Sequence, residues 1–319
     1  MIQGEIAIWL NMMTIAIISF LLATLVVSTA FVFLQHKLFN IAPKNRRLML
    51  WLIVLAPWVA ALCVACDFSV VMLNDRKSIE SFITHWHHIT RFDLFTWHGV
   101  LLITWPIIAL YLIAIKLTTL IKHQRQIRSI EQFSLLKSHN VYQLNSDCVS
   151  AFTSGLIKPK CYVSTGMFEH TTDIEQDIIL KHEQAHAKNK DPLKKWLFSL
   201  FASFFPNVLS TKLKMHLSLT MEQMADEAVA KTTTSSTDIA STLIKVARMN
   251  QNFSPDLEAE CITNFGASTL EQRVLFLLGQ LENKPVSKSI SLTLLAITTA
   301  CCLLSIDSIH HLIELLFQH

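Results

Sequence analysis

His182-Glu183-Gln184-Ala185-His186 sets two imidazoles four residues apart with a carboxylate next to the first. Residues four apart on a helix share a face, so both rings can ligate one Zn²⁺ at about 2.0–2.1 Å while Glu183 approaches a water on the ion. A catalytic zinc site also needs a third protein ligand and an open position. Glu222-Gln223-Met224-Ala225-Asp226 supplies the candidate. Glu222 and Asp226 again share a helix face, which suits Glu222 as third ligand and Asp226 as the carboxylate that orients a ligand histidine. The plainer reading of that pair is a solvated acidic face; its place after the HExxH helix favours the ligand reading. The chemistry implied is peptide hydrolysis by metal-activated water, with Glu183 taking the proton and returning it to the leaving amine. His216 and Tyr162 are two candidates for stabilising the oxyanion, and the sequence does not separate them.

The elements that must position these residues are partly readable. Thr172 to Glu175 has the form of a capping box, and Ile174, Ile178, His182 and His186 continue as a stripe at four-residue spacing until Pro192 stops the helix. Trp196 to Phe205 is rich in Phe and Leu, as suits either a core helix or one dipping into the inner leaflet. A helix from about Lys212 to Lys231 would carry Glu222, followed by a polar loop, Thr232 to Thr237. Short β-like runs, Asn140 to Leu144 and Lys160 to Ser164, are separated by the turn-prone Thr153-Ser154-Gly155 and Lys158-Pro159. Cys161 to Ser164 could present an edge to an extended substrate, although such a strand is more often internal.

The rest of the chain reads as membrane. It is 51% hydrophobic and 16% charged, with mean hydropathy +0.40, far more apolar than soluble proteins. Four stretches approach the roughly 20 apolar residues of a span: Ile8 to Leu34, Leu48 to Leu73, Gly99 to Ile121 and the shorter Ile290 to Ile306. The first is too long for a signal peptide. Lys37, Lys44, Arg46 and Arg47 in the first connection, and Lys116, Lys122, Arg125 and Arg128 at the end of the third span, place both on the cytoplasmic side. The expected fold is therefore a mainly α membrane protein of four transmembrane helices, with a cytoplasmic α+β zincin-like domain inserted between the third and fourth. Its expected divisions are 1–121, 122–288 and 289–319, with both termini outside. A net charge of +3 without a basic groove gives nucleic-acid binding little support. The seven cysteines form no disulfide framework, and Cys63-x-x-Cys66 reads as helix packing. His85-Trp86-His87-His88 reads as an interfacial cluster, and Asp67 as a carboxylate near enough to a span end to reach water.

Taken in order, the spans, Ala151-Phe152-Thr153-Ser154-Gly155-Leu156-Ile157-Lys158-Pro159-Lys160, the HEQAH motif, Phe205-Pro206-Asn207 and the ExxAD motif resemble the BlaR/MecR-type membrane metallopeptidases. The motif pair is also shared with HtpX-like membrane proteases. The resemblance implies a gluzincin-like domain in a bacterial cytoplasmic membrane that cleaves a protein, such as a transcriptional repressor or itself, in response to a signal, with a homo-oligomer as an open option. Family members that sense β-lactams carry an outer penicillin-binding domain after the last span, which this sequence has no room for; direct sensing by acylation is not expected. Two rivals stand beside the regulatory protease: a housekeeping protease acting on membrane proteins, and a zinc-stabilised signalling scaffold. The intact Glu183 argues against the scaffold, since a structural zinc site needs no general base.

Overall fold

The computed structural model describes residues 1–73, 91–138, 140–232, 235–253 and 269–281, together with Thr293, Ala296 and Ala300. The expected fourth span, apart from those last positions, lies outside the described residues, as do the His85-Trp86-His87-His88 cluster, the Asp67 side chain and the tail after Ile306.

Among the described residues three long helices have the length and apolar composition to cross a membrane: α1 (Glu5–Leu38), α2 (Pro43–Leu73) and α3 (Trp97–Gln132). Each extends past the apolar run read from sequence, because basic residues end the hydrophobic segment without breaking a helix. At 1.5 Å per residue the 36-residue α3 is about 54 Å long, well beyond the roughly 30 Å hydrocarbon layer. Its last turns therefore extend beyond the length of a span, toward the sheet. At the other end, β1 (Ile2–Gln3) pairs antiparallel with β2 (Arg91–Phe92), tying the first residues to the segment before α3.

Beyond α3 lies a four-stranded sheet ordered β3-β4-β6-β5, with β3 (Ser134–Ser138), β4 (Val141–Leu144), β5 (Ala151–Ser154) and β6 (Lys160–Ser164). Two of these strands match the expected β-runs. Thr153 and Ser154, expected in a turn, belong instead to β5; the reversal follows at Gly155, whose φ of 107° suits a residue without a side chain. Of the two readings of Cys161 to Ser164, an edge or an internal strand, the structure has the internal one. β6 is internal, parallel to β4 and antiparallel to β5, so β5 and β3 are the edges.

A short helix, α4 (Thr165–His170), leads to α5 (Asp173–Asn189), which begins with the reciprocal Thr172–Glu175 capping box. One face of α5 packs on the sheet and α4 through Ile179, Leu180 and Ala187, against Val163 and Met167; the other buries Ile178 against Val229 and Ile239. Next come α6 (Asp191–Ala202), α7 (Asn207–Ala230), α8 (Ser236–Phe253) and a last helix, α9, at 269–277. Helix α7 starts before the expected Lys212, at the first residue after Pro206.

Helices α6 and α7 form a hairpin inserted into the bundle of spans, which answers how Trp196 to Phe205 is used. Phe198 and Phe201 stack edge-on against Trp51 of α2. Phe204, at the turn, lies 5.8, 5.0 and 5.4 Å from the rings of Phe20, Trp58 and Trp105, one from each span. Phe205, Leu209, Leu213, Leu217 and Met221 share one core with Val27, Phe31, Leu50 and Val54 of the spans. Lys116, a charge within α3, finds the Ser199 hydroxyl at 3.0 Å, which satisfies one of its donors at a depth where a bare ammonium would be costly.

His216 belongs to this interface and not to the site. Its ring packs 5.8 Å from Phe31 and 4.6 Å from Phe39. Burial, helped by the charges of Arg46, Lys212 and His36, pushes its pKa down to about 4. The neutral ring thus favours the fold above the ordinary value of about 6.5, and that contribution fades as pH falls toward 4 because the unfolded chain takes up the proton. The full difference is on the order of 3 kcal/mol. His216→Phe is expected to flatten the acid side of the unfolding temperature measured against pH; a slope identical to wild type would show that the ring carries no such linkage.

Candidate metal centre

Helix α5 presents His182 and His186 on one face, and α7 brings Glu222 across to them. His182 Nε2 lies 3.1 Å from His186 Nε2 and 3.2 Å from Glu222 Oε2, and the latter is 3.5 Å from His186 Nε2. An ion bound tetrahedrally at about 2.0–2.1 Å has ligand atoms about 3.3 Å apart along each edge. The three atoms are thus spaced as one face of such a tetrahedron, and the donor set, which lines the cavity, fits a divalent ion.

The imidazoles are aimed by what holds their other nitrogens. His182 Nδ1 is 3.1 Å from Asp226 Oδ1, and His186 Nδ1 is 2.8 Å from Asp191 Oδ2. A carboxylate only accepts, so each Nδ1 carries the proton and each Nε2 is left for a metal. Asp226 is where sequence spacing expected a histidine-orienting carboxylate. Asp191 was missed. Its signal was Asp191-Pro192, read only as the end of a helix; Lys190, with left-handed backbone at φ 53°, turns the chain so that the first residue of α6 swings back onto His186.

Arg273 of α9 was also missed. Its Nε and one terminal nitrogen meet the two Asp226 oxygens at 2.8 Å each, and its other terminal nitrogen is 3.3 Å from Glu222 Oε2. Such a fork is a strong, geometrically specific arrangement for a carboxylate. Lys195 of α6 adds a contact at 3.4 Å to Glu222 Oε1. Burial alone would raise both acids, but the His182 and His186 hydrogen bonds with the Arg273 charge hold Glu222 well below the usual range, and Arg273 with His182 does the same for Asp226. Burial would conversely lower the imidazoles; Asp191 and Glu222 overcome it and lift His186 to about 9, and Asp226 and Glu222 raise His182.

Glu183, adjacent to His182, is 9% exposed. The Thr153 hydroxyl of β5 lies 2.7 Å from its Oε2 and 2.8 Å from its carbonyl oxygen, its single proton shared between them. All of these residues line one cavity of about 880 Å³. Its walls are β5, α5, the start of α6 and the outer turns of α3 from Thr119 to Glu131, and Glu131 ion-pairs with Lys160 of β6. Tyr162 lines the cavity too, its phenol pKa raised by burial, whereas His216 does not.

A comparison with protein families matches residues 15–277 to the BlaR1 peptidase M56 family. The chain belongs to that family. It is accordingly a membrane-associated metallopeptidase, in keeping with its three apolar helices and the metal-compatible triad His182, His186 and Glu222. No curated protein matches it.

In this M56 chain the Asp191 contact should matter first for the metal. Asp191→Asn is expected to lower the His186 pKa toward 6.5 and to weaken metal binding by roughly 10–100-fold. In wild type, bound metal replaces imidazole protons, so affinity should rise with pH up to about 9. Titration with a competing chelator at several pH values tests both; equal affinity in wild type and variant would remove Asp191 from the site.

Proposed function

We propose that this M56 chain is a zinc-dependent endopeptidase of regulatory type, with His182, His186 and Glu222 as metal ligands and Glu183 as general base. The observation that carries it is the convergence of three ligand atoms at tetrahedral spacing beside a carboxylate that no ligand role consumes. The His₂Glu set is the one zinc peptidases use, and it favours zinc over other divalent ions. When bound, zinc supplies a Lewis acid for the scissile carbonyl and lowers the pKa of a water.

The chain's own residues do the rest. Thr153 occupies Glu183 Oε2, so Oε1 is the oxygen that accepts the proton from the attacking water and later delivers it to the departing amine. Asp226 and Asp191 hold the imidazoles in the tautomer that leaves Nε2 free. Between the two oxyanion candidates, Tyr162 has the position, in the cavity wall, and keeps its phenol proton available to donate. An extended substrate segment would lie against β5, whose outer edge is unpaired among the described residues and borders the cavity.

The same reading places the catalytic residues on the cytoplasmic side of a bacterial membrane, in a domain of about 122–288 between three preceding spans (1–121) and a fourth (289–319), with both termini outside. The substrate is a protein, either a repressor or the chain itself, and a homo-oligomer is compatible with both. The regulatory character is supported by the cavity wall that α3 contributes and by the α6–α7 hairpin, which tie the site to the spans.

Purified full-length protein and its Glu183→Gln variant are the test, each loaded with zinc and offered a soluble protein substrate and its own chain. The variant should retain metal yet lose 10²-fold or more in cleavage rate. Cleavage undiminished in the variant would sink the assignment of the base, and broad degradation without defined sites would favour a housekeeping protease.

A further inference from the structure

We infer that Arg46, in the first turn of α2, is a positioning residue of the metal centre, acting through Gln223, the Gln272 carbonyl and Arg273 on the two carboxylates that face His182. The inference rests on the reading of His182, His186 and Glu222 as metal ligands.

Arg46 is set apart from the other basic residues around it. Lys44 is exposed and Arg47 partly so, which suffices for membrane orientation, whereas Arg46 is 1% exposed within the protein. The only hydrogen-bond partner of its guanidinium among the described residues is the side-chain oxygen of Gln223, and its Nε is buried without an acceptor there. A guanidinium buried against one neutral acceptor is an expensive arrangement that packing alone does not require. The hydrophobic residues nearby, Leu50, Leu217 and Met221, already join α2 to α7.

What Arg46 does is orient an amide. A guanidinium only donates, so it selects the oxygen of Gln223 and directs the amide nitrogen the other way. That nitrogen reaches the Gln272 carbonyl at 3.2 Å, across to α9. Gln223 is itself 1% exposed and follows Glu222 directly in the chain. Gln272 precedes Arg273, so the bond fixes α9 where the Arg273 fork closes on Asp226 at 2.8 Å and its remaining nitrogen reaches Glu222 at 3.3 Å. Asp226 then meets His182. The result is an unbroken series of hydrogen bonds, ion pairs and one peptide step from the second span to a metal-holding histidine. A rotation or slide of α2 would be felt at Glu222 and Asp226 together.

The test uses full-length protein in detergent or lipid discs, loaded with Co²⁺, whose visible absorption reports ligand geometry. Arg46→Met and Gln223→Leu are each expected to weaken Co²⁺ binding tenfold or more and to alter the spectrum. The double variant should be little worse than either single one, since both break the same series. Leu50→Ala, equally buried in the same core but outside the series, should lower the unfolding temperature while leaving affinity and spectrum as in wild type. Arg46→Lys, a donor of different shape, should restore part of the affinity. If Arg46→Met and Leu50→Ala lose stability alike and both keep wild-type affinity within twofold and the wild-type spectrum, Arg46 is a packing residue and the inference is overturned. Should Arg46→Met not fold, Gln223→Leu decides by the same readouts. Wild type that binds Co²⁺ no better than a His182→Ala variant would overturn the metal centre itself, a different outcome from tight binding indifferent to Arg46.

Discussion

Each imidazole of the HExxH pair has its Nδ1 committed to a buried carboxylate, and the remainder of the site follows from that constraint. Asp226 and Asp191 are 0% and 3% exposed, so neither acid can turn to water and release its histidine. With both Nδ1 atoms held, both Nε2 atoms point to one place, and Glu222 completes the triangle. The two aspartates come from α7 and α6, the arms of the hairpin that stands in the bundle of spans. The geometry of the site is therefore set by an element whose hydrophobic core is shared with α1 and α2.

That arrangement explains why the sheet and the helices of the site sit so closely on the long apolar helices. A hairpin bearing Phe198, Phe201, Phe204 and Phe205 would expose a large apolar face in water. Among the spans it buries that face and presents its polar ends, Asp191, Lys195, Glu222 and Asp226, at the floor of the cavity. Helix α3 contributes from the other side, its outer turns forming a cavity wall fastened by Glu131 to Lys160. Two elements of the cavity thus continue into the apolar bundle, which mechanically couples the site to the three long helices.

What could be read from the sequence was what is local. His182 with His186, and Glu222 with Asp226, are spaced by helix geometry, and the Thr172 cap with its apolar stripe located α5 without reference to anything else in the chain. The strands flanking Lys158-Pro159 were half visible, because a run as short as Ala151 to Ser154 has the same composition as a turn and only pairing with β6 makes it a strand. Asp191, Thr153 and Arg273 stayed hidden for another reason. Asp191 acts through a left-handed residue that is not glycine, Thr153 through a strand lying across α5, and Arg273 from a helix 47 residues beyond Asp226. Sequence alone could not separate His216 from Tyr162, because which side of α7 a histidine six residues before Glu222 faces depends on packing, and His216 projects toward Phe31 and Phe39.

The charge balance of the buried cluster shows how the fold can hold together before and after loading. Glu222, Asp226 and Asp191 are carboxylates in a region where a bare negative charge is costly. Arg273 answers part of that charge permanently. The rest is met in the metal-free protein by His182 and His186, both held toward the protonated form by these same carboxylates. A divalent ion entering the triangle would take the place of imidazole protons and bring positive charge to the same carboxylates, while Arg273 keeps its partners. Loading is then an exchange of protons for a metal within a site already assembled, unlike small zinc modules in which the ion supplies the folding energy. Preassembly of this kind suits a peptidase that must leave one position of its ion open, because the protein, and not a closed coordination sphere, fixes the geometry.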